Sequence, residues 1–329
     1  MKYNRLGKTD FLVSEVSLGT WQLGGKWGEA FNEKTAFDIL AAGVDQGINF
    51  IDTADVYNAG MSEIAIGKFL KTQKTKRIYV ATKLGRQLNP HNYDGYNKKN
   101  VEKFIDQSLT RLGTDTLDLV QLHCPPTAVY DNAEVFAALD EMRAKGKILN
   151  YGVSVEKISE AIKAITYANV ATVQIIFNMF RIKPSLKFFA QASHQDVGVI
   201  VRVPLASGLL TGKFDKNTKF GVEDHRNFNR NGERFDKGET FSGVDYDKAL
   251  VAVEELKVIF GQHDLANYAL KWILSFEEVS CVIPGASRAE QIIANIKAAE
   301  MPELSPEQKK QVKEVYYKHI DSLIGNTWD

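Results

Sequence analysis

Cysteine is scarce: the chain has two in 329 residues, Cys124 and Cys281, far apart and in no CxxC or Cys/His cluster. That excludes a disulfide framework or a structural zinc site as the organising device and makes a reducing cytoplasm the expected compartment. Net charge is lacking too. The 41 basic and 41 acidic residues cancel and no basic stripe stands out, so nucleic acid is not an expected partner. No apolar run reaches the roughly 18 residues of a membrane span. The start, MKYNRLGKTD, lacks the apolar stretch of a secretory signal. Internal repeats and low-complexity tracts are not evident. What is present is an ordinary globular composition, 44% apolar and 25% charged, and a length that suits one large α/β barrel or two smaller domains.

Short apolar runs rich in Val and Ile alternate with amphipathic segments along the chain. Strands are expected at 16–19 (VSLG), 49–52, 78–83 (IYVATK), 117–123 (LDLVQLH), 148–154 (ILNYGVS), 172–177, 197–203 (VGVIVRV) and 280–284. Helices are expected at 34–46, 62–70 with Ser62 as N-cap, 101–112 closed by Gly113, 132–145, 158–168, 186–193, 263–274 and 289–299. Eight such pairs, with strands apolar enough to be buried on both faces, point to a (β/α)8 TIM barrel. A doubly wound sheet is the alternative, but no GxGxxG follows any strand. Outside the pairs lie an N-terminal hairpin (3–13), a C-terminal helix (305–323) and a long insertion after strand 7 (214–260), loop-like at first in HRNFNRNGERFDKGETFSG. One barrel domain, 1–329, contains them all. A long loop inside a compact domain is usually a functional lid.

A TIM barrel works at the C-terminal ends of its strands. Those ends here carry Gly19, Thr20 and Trp21; Asp52, Asp55 and Tyr57; Lys83; His123 and Cys124; Ser154; Gln174 and Asn178; Arg202; and Pro284 and Gly285. Any one of these has a plain structural reading: a lysine solvating a strand end, a satisfied core histidine, a tyrosine with its hydroxyl in water. Asp52, Lys83 and His123 on adjacent strand ends are harder to explain that way. Together with Tyr57 they suit proton transfer to a carbonyl oxygen. A phenol is a weak acid, a nearby Lys83 ammonium favours its ionised form and is expected to lower its pKa, and Asp52 supplies the buried ammonium with a counter-charge. His123 is placed to orient the carbonyl oxygen. The rim offers no hydride donor, so a reduction needs a redox cofactor.

The segments GINFIDTADVY, SLTRLGTDTLDLVQLHCP, GKILNYGVS and PLASGLLTGKF resemble the signature segments of the aldo-keto reductase superfamily, in order and spacing, from about Leu6 to Asn295. The resemblance implies NADPH-dependent reduction of small aldehydes or ketones. The family's Asp, Tyr, Lys and His tetrad falls on Asp52, Tyr57, Lys83 and His123, with the proton coming from Tyr57 and Asp55 in support. Trp21, Tyr57 and His123 would line the substrate pocket, with Trp27 a weaker candidate for its wall.

The cofactor-binding positions would be Gly19, Thr20, Trp21 and Asp52 on the rim, Ser154 and Gln174 at the nicotinamide carboxamide, and Pro204, Leu205, Ser207 and Lys213 in the pyrophosphate loop. Gly285, Ser287, Arg288, Gln291 and Asn295 would lie around the adenosine 2′-phosphate. This sequence departs from the common pattern at Val155, where an Asn is usual, at Arg202, where many members stack a Tyr on the nicotinamide, and at Gly285, where many have Lys. A guanidinium can also stack on a ring. The pattern from Ser287 to Asn295 resembles the bacterial stress-protein-like and potassium-channel β-subunit-like branches. That brings in a second reading, an NADPH-binding redox-sensing or regulatory subunit with slow turnover. A Schiff-base lyase using Lys83 runs against the cofactor segments. No metal is expected, because strand 1 (VSLGTW) offers no ligand.

Overall fold

A computed structural model of the protein describes residues 1–25 and 28–329. Strands β3 (Leu18–Gly19), β4 (Phe50–Asp52), β5 (Tyr79–Leu84), β6 (Leu117–His123), β7 (Ile148–Ser154), β8 (Val170–Ile176), β9 (Gly198–Arg202) and β10 (Val279–Val282) lie in sequence order in one parallel sheet of eight. The sheet closes on itself through parallel bridges Val16–Val282 and Gly19–Gly285, with Ser17 N donating to the Val282 carbonyl at 2.9 Å. The (β/α)8 TIM barrel is therefore the fold. A short antiparallel hairpin, β1 (Tyr3–Arg5) and β2 (Leu12–Ser14), precedes it, and its Phe11 stacks on Tyr79 at 4.2 Å, next to the start of β5.

Helices α1 (Glu33–Asp45), α2 (Met61–Leu70), α3 (Lys98–Leu112), α4 (Ala133–Ala144), α5 (Ile158–Ala164), α6 (Lys183–Lys187) and α7 (Phe189–His194) follow the strands in turn. After β9 come α8 (His225–Phe228), α9 (Tyr246–Phe260) and α10 (Leu265–Leu274), and after β10 come α11 (Ala289–Ile296), α12 (Pro306–His319) and α13 (Asp321–Ile324). Helix α3 shows why such segments are helical. Asn97 caps it by accepting from Asn100 N at 3.1 Å, Val101, Phe104, Ile105 and Leu112 form its buried stripe, and Gly113 ends it at φ +64°.

Side-chain alternation along the strands builds the site. Phe50, Ala81, Leu119, Ile200 and Cys281 belong to one apolar cluster with the hairpin residues Leu6, Phe11 and Val13, separate from the large cluster between strands and helices. Two residues further along, on the same face, stand Asp52, Lys83, Gln121 and Arg202. The apolar layer thus gives way to a polar one toward the C-terminal mouth.

Several expected boundaries shift. Ser62 is not the N-cap of α2: Gly60 holds that position at φ +89°, and the buried Ser62 hydroxyl bonds Thr53 and Thr20 at 2.9 and 3.0 Å. The 186–193 helix is two, broken at Phe188, and the C-terminal helix breaks at Ile320. The insertion ends in the fifteen-residue helix α9, capped by Asp245 and stopped by Gly261, with Ala249, Leu250, Val253, Leu256 and Phe260 buried. That periodicity is present in the sequence, masked by the polar stretch before it. Among the described residues no helix is long and apolar enough to cross a membrane.

Candidate active site

Asp52 ends β4 and Lys83 lies near the end of β5, both almost fully buried. Lys83 Nζ donates to Asp52 Oδ1 at 2.5 Å, to the Thr53 carbonyl at 2.8 Å and to the Tyr57 hydroxyl at 3.2 Å. The other Asp52 oxygen accepts from Gln174 Nε2 at 2.7 Å and Gln121 Nε2 at 3.3 Å. Thr20 grips the Asp52 carbonyl through both its N–H and its hydroxyl, at 3.0 and 2.9 Å. Tyr57 projects from a turn whose Asn58, Ala59 and Gly60 all take positive φ, and Asn58 ties that turn to the Leu23 carbonyl at 3.0 Å. Such strained backbone is held only where surrounding contacts enforce it.

Burial pushes the Tyr57 phenol above its ordinary pKa, and Lys83 works against that rise without cancelling it. The expected lowering is therefore the sign of Lys83's contribution but not the net result: desolvation outweighs the ammonium. Burial alone would lower Lys83, but Asp52 and Tyr57 together carry it above its usual value. His123 meets the Tyr57 ring edge-on at 5.9 Å, and burial, then Arg86, Lys83 and Arg202, hold it well below its normal pKa and hence neutral. Trp21 stacks along Tyr57 at 6.4 Å and is itself covered by His225 and Phe235 of the insertion, at 4.9 and 5.8 Å. Trp27 lies outside the described residues.

The other positions divide. Ser154 pairs across the sheet with Gln174, and its hydroxyl lies 3.4 Å from Cys124 Sγ. Gln174 has its amide nitrogen committed to Asp52. Arg202 Nη2 donates to Glu156 at 2.8 Å and to the Val155 carbonyl at 3.0 Å, which fixes the orientation of its guanidinium. Ser207 is engaged by the insertion, donating to the Glu239 carbonyl and accepting from Phe241 N, both at 3.0 Å. Pro204 is buried and Leu205 partly so, beside the positive-φ residues Val203, Ala206 and Ser207. Lys213 is exposed, as is Gly285, which bridges to Gly19. Ser287 is tied to Gln291 by two bonds, at 2.7 and 3.1 Å; Asn295 is buried on α11. Arg288 stands exposed at the N-cap of α11, 3.8 Å from Glu290. Asn178, also a rim residue, is structural here, bonded to the Val203 carbonyl and Ser242.

Sequence reasoning missed Gln121, Arg86, Glu156 and Glu239. Gln121 had a signal, a polar residue on the inward face of an apolar strand two before His123. Glu239 had none, since it comes from the insertion. It binds Arg86 through both carboxylate oxygens and lies 3.7 Å from Arg202, while Arg86 also reaches Glu156 at 3.3 Å. Among the described residues Cys124, Glu156 and Glu239 also bring ligand atoms within 4.8 Å of one another, a grouping the sequence did not suggest.

The Aldo/keto reductase family profile matches residues 15–317. The chain is 30% identical over 318 residues to the oxidoreductase YqkF of Bacillus subtilis, covering 95% of this chain and 96% of that protein. It is equally identical, over 330 residues and 96% of each chain, to a probable voltage-gated potassium channel subunit beta of Oryza sativa. Identity to the NADH-specific methylglyoxal reductase of Escherichia coli is 27%, over 91% of this chain and 93% of that one. Among solved structures, the holo form of aldo-keto reductase AKR11C1 from Bacillus halodurans superposes with a TM-score of 0.76, at 27% identity and 96% coverage of each chain.

Proposed function

We propose that this chain, which belongs to the aldo/keto reductase family of oxidoreductases, reduces small aldehydes or ketones with NADPH. The observation that carries the reading is the position of Lys83 Nζ, within hydrogen-bond reach of both the Asp52 carboxylate and the Tyr57 hydroxyl in a buried site. Tyr57 is the proton donor. Lys83 restrains the rise that burial imposes on its pKa and so strengthens it as an acid. Asp52, braced by Gln121 and Gln174, keeps Lys83 charged and in place. Neutral His123 has one N–H to give to the carbonyl oxygen and does not compete as the acid. Trp21 forms the apolar wall, with His225 and Phe235 excluding water above it.

Bound NADPH would supply the hydride. The chain's residues fit such a group at its phosphate end. Lys213 and Arg288 are exposed cations, and α11 begins behind Arg288 with no side chain capping its first N–H groups. Ser154, Gln174 and Arg202 sit at the strand ends nearest the tetrad and would meet the nicotinamide. Arg288 argues for NADPH over NADH, a choice that differs within the family, as the name of the E. coli relative shows. Two buried, unpaired thiols suit a reducing cytoplasm.

The test is NADPH and NADH oxidation over a panel of aldehydes, ketones and sugars, with Tyr57→Phe as control. Turnover by wild type and not by the variant is expected; equal turnover by both would remove Tyr57 from the mechanism. Similarity to the rice channel subunit supports the second reading, a slow redox sensor. Oxidised cofactor that stays bound after a single turnover would favour that reading.

A further inference from the structure

The segment after α13, residues 325–329, meets the loops that follow β7, β8 and β9. After β7, Ile158 N donates to the Trp328 carbonyl at 2.9 Å and the Ser159 hydroxyl to the Asp329 main-chain oxygen at 3.0 Å. After β8, Lys183 Nζ donates to the Gly325 carbonyl at 2.7 Å and Lys187 Nζ to the Asp329 carboxylate at 2.6 Å. The Arg181 guanidinium lies 4.0 Å from the centre of the Trp328 ring. The indole itself is almost fully buried and reaches the insertion, where its Nε1–H donates to Asp236 Oδ1 at 2.8 Å. The same oxygen accepts from Gly238 N at 2.7 Å, so one carboxylate ties the indole to the turn that carries Glu239.

On the insertion's side the backbone comes right up to the ring. A Cβ on Gly243 would stand 2.0 Å from the indole and one on Gly238 3.0 Å from it, so glycine at both positions is what permits the contact. Phe241, Ser242 and Gly243 take φ of +52°, +58° and +78° in succession. A run of that kind persists only where surrounding contacts hold it. The segment held in this way serves the mouth at three points. Glu239 binds Arg86 there, and Thr240 lies 3.2 Å from His225, which covers Trp21. The Glu239 carbonyl and Phe241 N both bond Ser207, in the loop assigned above to the pyrophosphate.

We infer that the segment after α13 is a latch on the insertion and that Trp328 is its positioning residue: through Asp236 it holds residues 236–243 in place, keeps them on Ser207, and so slows release of the bound cofactor. The part about the cofactor rests on the reductase reading above. Trp328 touches none of the four tetrad residues and acts only through the insertion.

The test uses Trp328→Phe, which keeps a ring and loses the N–H, Asp236→Ala, which loses the acceptor, and Asp236→Asn, which keeps an acceptor oxygen. Hydrogen exchange is followed on the protein without cofactor, and NADPH dissociation by the fluorescence of the nicotinamide. A lost hydrogen bond to a carboxylate predicts that the amides of Glu239, Thr240, Phe241 and Gly243 exchange about tenfold faster in Trp328→Phe and Asp236→Ala, while those of β5, β6 and β7 keep their rates. NADPH should leave faster in the same two variants, and Asp236→Asn should stay near wild type in both measurements. Exchange that rises equally in the barrel strands would make Trp328 a support of the whole fold and overturn the latch. Faster local exchange with an unchanged NADPH release would overturn its link to the cofactor. If neither NADPH nor NADH binds, the reductase reading fails and takes the release claim with it, while local exchange still decides whether Trp328 holds the insertion. Should Trp328→Phe not fold, Asp236→Ala against Asp236→Asn gives the same decision.

Discussion

Two sets of buried charges share the mouth of this barrel and are built differently. Asp52, Lys83 and Tyr57 come from two neighbouring strand ends and one turn. Lys83 is shared between Asp52 and Tyr57, and both Asp52 oxygens are engaged, one by Lys83 and the other by Gln121 and Gln174. Arg86, Glu156, Arg202 and Glu239 come from a loop, two strand ends and an insertion, and among the described residues Arg202 Nε is left without an acceptor. Parallel strand pairing presets the first group. The second pairs Arg86 and Arg202 through Glu156 and is completed by Glu239 of the insertion. Chemistry common to every substrate suits the first.

Breaking the first group should have the largest effect. Tyr57→Phe removes the acid and keeps the ring, so kcat should fall by about a hundredfold or more, while cofactor affinity, read by fluorescence titration, stays nearly unchanged. Lys83→Met comes next. It should lower the rate, and by leaving Asp52 buried and unpaired it should cost roughly 3–5 kcal/mol of stability. Because Lys83 pulls the phenol down, its loss should move the alkaline limb of the reduction rate to higher pH. An unmoved limb in a folded variant would separate Lys83 from Tyr57.

Arg288→Ala probes a third, exposed charge that neither buried group can replace. NADPH should bind about ten- to a hundredfold more weakly, NADH should hardly change, and the NADPH loss should shrink in high salt. Equal weakening of both cofactors would show that Arg288 does not recognise the 2′-phosphate.

The smallest effect sharpens the comparison within the first group. Asp55 lies three residues from Asp52 and is as deeply buried, yet among the described residues neither of its side-chain oxygens has a hydrogen-bond partner. Burial, then the nearby Glu63, raise its pKa from 3.8 to about 7. An acid held above its unfolded pKa binds more protons when folded, so between about pH 4 and 7 its contribution to stability falls as pH rises and stays low above that. Asp55→Asn should therefore stabilise the protein at pH 8 and have little effect at pH 4. The gain should be roughly 1–2 kcal/mol, below the full linkage, because a buried amide also wants partners. Thermal melts at the two pH values decide; a gain equal at both would place the cause outside Asp55 ionisation.

Much of this architecture was legible in the residues. Eight apolar runs with amphipathic segments between them announce the barrel, because parallel strands must be apolar on both faces. Asp52, Lys83 and His123 were visible as polar residues ending those runs. Helix α9 was legible and overlooked behind the polar stretch that precedes it. Ser62 was misjudged because its capping preference is local, whereas the hydroxyls of Thr53 and Thr20 that hold it come from other parts of the chain.

The sequence by itself determined the barrel, the polar layer at its mouth and the identity of the groups there, since strand period and residue chemistry are local properties. Tertiary structure alone decided what those groups became. Burial turned a phenol expected to be low into one that is high, and Gln174 and Ser207, expected at a cofactor, also brace Asp52 and hold the insertion. Arg202, expected at the nicotinamide, is also held in an ion-pair group by Glu156 and Glu239. Glu239 is thirty-seven residues from Arg202 and 153 from Arg86, and no pattern along the chain marks that meeting. Desolvation and partnership depend on what a fold places around a side chain, and that is not written next to it in the chain.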